Sequence, residues 1–119
     1  SAGLVHRLDR PVAGVVLLAR TSKAAARLSA QFRSSTVIKE YLAVLEGELR
    51  RPAGRLVHHL ERHGSSSRLV SERTDRSREA ALSYEVIGIE QSRTLVRVQL
   101  ETGRHHQIRA QMAAIGHPV

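Results

Sequence analysis

The sequence contains no cysteine, which excludes disulfides, thiolate nucleophiles and cysteine-based metal sites. Tryptophan is missing as well, and Phe32, Tyr41 and Tyr84 are the whole aromatic complement, 3% of the chain. A protein that grips single strands by stacking base after base needs several aromatics on one face, so a passive stacking module is disfavoured. Lysine occurs only as Lys23 and Lys39. No apolar run approaches the length of a bilayer span, and no charged-then-apolar leader opens the sequence. These absences lead us to expect a cytoplasmic setting and no membrane partner.

What is present is basic. Lys and Arg total 19 against 11 Asp and Glu, giving a formal charge of +8 on 119 residues. Such an excess suits a polyanionic partner, because bound cations release phosphate counterions. Nearly all of it is arginine, the side chain shaped for bidentate phosphate contacts; a genome-wide preference for arginine codons gives the same composition. Hydrophobic residues reach 41%, enough for one modest core, so residues 1–119 are expected to form a single domain.

The pattern along the chain alternates between strand and helix signals. Residues 15–19 are a short apolar run of strand length, expected to be buried on both faces. Thr21-Ser22 is a good N-cap for a helix to Arg33, with Ala24, Leu28 and Phe32 at helical spacing. Residues 37–46 alternate, with Lys39, Tyr41, Ala43 and Leu45 on one face, and Gly47 ends them. The stretch from Arg50 to Arg78 is polar and arginine-rich, with short strands expected near Leu56-Val57 and Leu69-Val70. Clearer strands follow at 80–89 and 94–100. A Thr102-Gly103 turn then opens a helix over 104–115, carrying Ile108, Met112 and Ile115 as its apolar stripe and stopped by Gly116 and Pro118. Mostly consecutive strands predict an α+β fold: a mixed, mainly antiparallel β-sheet with flanking helices.

Four segments carry the chemistry. His6-Arg7-Leu8-Asp9-Arg10 leads through Val12-Ala13-Gly14 into the apolar run. Lys39-Glu40-Tyr41-Leu42-Ala43 lies in a strand. Thr102-Gly103-Arg104-His105-His106-Gln107-Ile108-Arg109 opens a helix, and Gly116-His117-Pro118 closes it. Their order and spacing resemble the RluA-like family of RNA pseudouridine synthases, whose signature runs HRLD, a small residue and glycine, K-x-Y-x-A, T-G-R-x-H-Q-I-R and G-H-P. The resemblance implies that the chain is the core of a catalytic domain, incomplete at both ends, that isomerises uridines in ribosomal or transfer RNA with no metal or organic cofactor. It also marks departures: Val12-Ala13 stands where a Thr or Ser is usual, and so does His105.

The resemblance implies Asp9 as the nucleophile. A carboxylate among Leu8, Pro11 and Val12 loses hydration and gains reactivity; by itself such a residue is as well suited to capping a loop. Arg109, beside the apolar stripe, is the candidate partner of Asp9, with Arg104 as the alternative. Arg104 at a helix start suits phosphate. Tyr41 is placed by the family beside a flipped base, whereas an isolated strand tyrosine is ordinary packing. His6, Arg7, Arg10, Arg104, His105, His106 and Gln107 complete the expected RNA-binding set, with His6 also suited to holding the Asp9 loop. His58, His59 and His63 lack a zinc pattern, so no metal site is expected. A catalytically silent RNA-binding module on the same fold is the competing reading, and a basic ribosomal component is a third.

Overall fold

Thr21 opens the first helix for the reason its sequence position suggests. Its backbone is extended (φ −130°, ψ 158°), and its hydroxyl accepts the Ala24 N–H at 3.0 Å, satisfying a donor that the helix leaves free. In the computed structural model, which describes residues 3–119, this helix belongs to the first of two compact units divided after Val37. That unit contains β1 (Gly3–Leu4), β2 (Leu18–Ala19) and α1 (Ser22–Arg33). The two short strands pair antiparallel, Gly3 with Ala19 and Leu4 with Leu18, and α1 packs against both.

The apolar run 15–19 departs from expectation. Only its last two residues are strand, and Val15 (88% exposed), Val16, Leu17 and Leu18 face outward. An apolar run is a strand only where a partner edge exists, and β1 offers two residues of edge.

The second unit is a five-stranded antiparallel sheet with one helix. Its elements are β3 (Lys39–Glu46), β4 (Ala53–His63), β5 (Ser66–Val70), β6 (Arg78–Glu90), β7 (Arg93–Leu100) and α2 (Gln107–Ala114), and the strands lie in the order β3-β7-β6-β4-β5. Period-two alternation puts Tyr41, Ala43 and Leu45 of β3 on the face that carries Val96 and Val98 of β7 and Leu82 and Tyr84 of β6. Met112 of α2 completes this core, with Ile108 and Ile115 packed against it. Leu42, Val44 and Val57 lie on the opposite, open face. There Arg97 reaches Glu40 at 3.4 Å and Glu85 at 3.1 Å, joining three strands by exposed ion pairs that contribute little each.

The polar stretch 50–78 is more ordered than its composition suggests, since it holds the long hairpin β4–β5. Gly64, at φ +60°, supplies the left-handed residue of the two-residue loop. The β6–β7 loop places Gln91 and Ser92 at positive φ without glycine. The expected α+β class with an antiparallel sheet holds. Among the described residues, no helix is long and apolar enough to cross a membrane.

Candidate active site

Asp9 lies in the long loop between β1 and β2 of the first unit, and it is exposed along with Pro11 and Val12. The expected apolar shelter is therefore not formed around it. Its backbone carbonyl accepts the Val12 N–H at 3.0 Å, closing a tight turn. His6 braces the loop: its Nε2 accepts the Leu17 N–H at 2.9 Å, and its ring stacks on Phe32 with centroids 4.6 Å apart. These contacts give His6 the loop-holding role expected of it, while Arg7 and Arg10 are exposed.

Tyr41 and Arg109 belong to the second unit. Tyr41 is half-buried on the inner face of β3, opposite Val98 and packed against the core. Lys39, two residues earlier on that face, is half-buried too. Burial, and then the charge of Arg104, holds its ammonium below the usual lysine range.

The T-G-R-x-H-Q-I-R segment differs from the expected helix start at 104. His106 adopts left-handed backbone (φ 50°), so α2 begins only at Gln107 and residues 104–106 form a turn. The Arg104 N–H is not free for phosphate, because it donates to Gln107 Oε1 at 2.9 Å. The Arg104 guanidinium donates through Nε to the Glu79 carbonyl at 2.8 Å and is otherwise exposed, as is Arg109.

Gln107 requires the largest correction. At 2% exposure it is a buried residue and not an RNA contact. Its Oε1 accepts from Thr102 Oγ1 and from Arg104 N, both at 2.9 Å. Its Nε2 donates to the Ala81 carbonyl at 3.0 Å and to Gln111 Oε1 at 2.9 Å. Gln111, fully buried, passes the network on to the Ala80 and Leu56 carbonyls and to His58. Among the described residues no buried side-chain polar atom lacks a partner. His105 and His106 are half-buried and stacked, with centroids 3.9 Å apart. His105 also joins the β4–β5 loop through Ser65 O and the Ser67 hydroxyl, so this turn is anchored to the hairpin tip.

The G-H-P segment ends α2 and holds β3. Gly116 takes φ +86°, the His117 N–H donates to Met112 O, and the Gly116 N–H donates to Ala113 O, which together form a Schellman closure. His117 Nδ1 lies 2.9 Å from Glu46 O, and the Glu46 N–H donates to Pro118 O at 2.8 Å. The ring sits so close to Gly47 (φ +82°) that a Cβ there would stand 3.0 Å from Nδ1.

His58 gives the network a pH dependence. The Gln111 amide donates to its Nδ1 at 2.9 Å, which requires a neutral ring, and burial lowers the pKa below the usual histidine value. The unfolded chain thus takes up its proton first as pH falls. Stability from this group is complete above about pH 6.5 and is lost as pH drops through the folded pKa. In an NMR titration the His58 ring should show a midpoint below that of free histidine, and the melting temperature should fall in parallel. A midpoint at or above the free value overturns this account. His63 pairs with Glu61 at 3.1 Å. Among the described residues no group of three or more His, Cys, Asp or Glu could hold a metal ion.

Sequence reasoning missed Gln111 and weighed His58 only as a metal ligand. Gln107 and Gln111, polar residues four apart beside the apolar stripe, were the available signal.

This antiparallel sheet carries α2 against its inner face, and the loop that holds Asp9 precedes it in the chain. The family model described as RNA pseudouridylate synthase matches residues 1–114, and the chain belongs to that family. A relative from Xylella fastidiosa, "Ribosomal large subunit pseudouridine synthase D", is 39% identical over 118 residues, covering 99% of this chain and 35% of its own length. The chain thus spans about a third of the length of the curated relatives it matches. Among solved structures, human RNA Pseudouridylate Synthase Domain Containing 4 superimposes with a TM-score of 0.86 at 26% identity, covering 98% of this chain and 49% of that one. Human RNA Pseudouridylate Synthase Domain Containing 1 reaches a TM-score of 0.91 at 23% identity over the whole chain and 53% of its own, a likeness of fold.

Proposed function

We propose that the full-length protein containing this chain converts uridine in RNA to pseudouridine. The observation that carries this reading is the family match over residues 1–114, within which Asp9, Tyr41 and Arg109 all fall in their motifs. In the proposed reaction Asp9 attacks the ribose or assists departure of the uracil, breaking the bond from N1 to C1′. The freed base turns and forms a bond from C5 to C1′, and the C5 proton leaves as N1 gains one. Atoms and electrons balance within the nucleoside, so no oxidant, metal or organic cofactor is needed.

Tyr41 lies against the displaced base, and its hydroxyl is the candidate for moving a proton. Arg109, exposed on α2, keeps the role of candidate partner for a carboxylate that its motif implies. Arg7, Arg10 and Arg104 hold the RNA backbone, supported by the +8 charge. The name of the Xylella fastidiosa relative makes large-subunit ribosomal RNA the first substrate to try, ahead of transfer RNA.

The test is to incubate the full-length protein with ribosomal and transfer RNA transcripts and map pseudouridine in each. A specific product in ribosomal RNA is expected. Tight binding without product in either RNA would instead favour the catalytically silent module.

A further inference from the structure

Lys39 is unusual in a chain whose other cations, Lys23 apart, are all arginine. It is half-buried, yet within its unit none of its described neighbours gives the ammonium a hydrogen bond or an ion pair. The acidic residues nearest in the fold are engaged elsewhere. Glu40 points to the opposite face and meets Arg97, and Glu101 is held by Arg55 at 2.8 and 2.9 Å. The charge whose field Lys39 feels is another cation, Arg104. Two adjacent cations, one of them partly desolvated and lacking a counter-charge, form an arrangement that an anion stabilises.

Gly103 makes room for it. Its backbone is not in the left-handed region, so glycine is not required for conformation there. A Cβ would, however, stand 2.7 Å from Lys39 Nζ. The missing side chain leaves the ammonium seated over the turn beside Arg104.

We propose that Lys39 and Arg104 form a binding site for one phosphodiester of the RNA substrate. Lysine suits a single phosphate as a compact point charge. Along one strand face Lys39 is about 7 Å from Tyr41, a separation that lets one nucleotide place its base against the ring and a phosphate against the ammonium. This rests on the reading of the protein as an RNA-modifying enzyme, and binding can be measured apart from turnover.

The experiment uses the full-length protein and a short uridine-containing RNA oligonucleotide, with affinity measured across a salt series. Lys39→Met should weaken binding by about fivefold to tenfold and reduce the slope of log affinity against log salt by about 0.7–0.9, the signature of one lost phosphate contact. Lys39→Arg should keep most of the slope. Gly103→Ala should leave the melting temperature unchanged but reduce the slope as Lys39→Met does, because it displaces the ammonium without straining the backbone. It therefore reports even if Lys39→Met folds poorly. Replacing single phosphates by uncharged methylphosphonates should reveal one position whose penalty disappears in Lys39→Met.

Unchanged slopes in Lys39→Met or Gly103→Ala, or equal methylphosphonate penalties in variant and parent, overturn the proposal. A parent protein that binds with the full slope but makes no pseudouridine would instead sink the enzymatic reading and leave this contact standing.

Discussion

Asp9→Asn in the full-length protein should reduce pseudouridine formation by about a thousandfold or more while RNA affinity stays within about fivefold. The substitution keeps the size of the side chain and removes the charge and the nucleophilic oxygen. The structure gives it little else to disturb. Asp9 is exposed, its turn is closed by its backbone carbonyl, and the loop is braced by His6 against Phe32 and Leu17. A variant folded like the parent, binding RNA and inactive, is therefore the expected result. Quantifying pseudouridine in the same RNA under single-turnover conditions settles it. Activity within tenfold of the parent would remove Asp9 from the chemistry, and joint loss of binding and activity would make it a loop residue.

The largest effect on stability is expected from Gln107→Leu. Leucine fills a similar volume but makes none of the four hydrogen bonds, leaving the part-buried Arg104 N–H and the buried Gln111 Oε1 without their partner. Each buried group so stranded costs about 1–3 kcal/mol, so a loss of about 3 kcal/mol and a fall in melting temperature on the order of 15 °C are expected. Adding Gln111→Leu should cost less than its own single effect, because the two side chains share one network. A melting temperature within about 2 °C of the parent for Gln107→Leu alone would show that the network relaxes and carries little.

Legibility in the sequence followed the range of the interactions. The helix after Thr21 and the alternation of Lys39, Tyr41, Ala43 and Leu45 depend on neighbours a few residues away, and both were readable. The hairpin over 53–70 was mostly hidden, because its arginines and histidines alternate with apolar residues on a sheet that is open on one side. The run 15–19 misled because apolarity was present and a partner edge was not. Gln107 looked like a surface residue of an RNA motif, since nothing local shows that its amide meets a carbonyl 26 residues away. For the candidate site, the motifs named residues without revealing which ones support the others. His6, His105 and Gln107 are partly or wholly occupied with holding the protein together.

The closure of His117 onto Gly47 and Glu46 bears on how this sequence can change over generations. Residues 46–47 and 117–118 are far apart in the chain but form one joint in space, so a side chain gained at 47 has to be answered at 117. Part of what lies between them is under a looser rule. The β5–β6 loop is exposed over residues 71–73, and lengthening a surface loop costs little entropy. Descendants can therefore insert or trim residues in that loop while the joint that seats the Tyr41 strand is inherited unchanged.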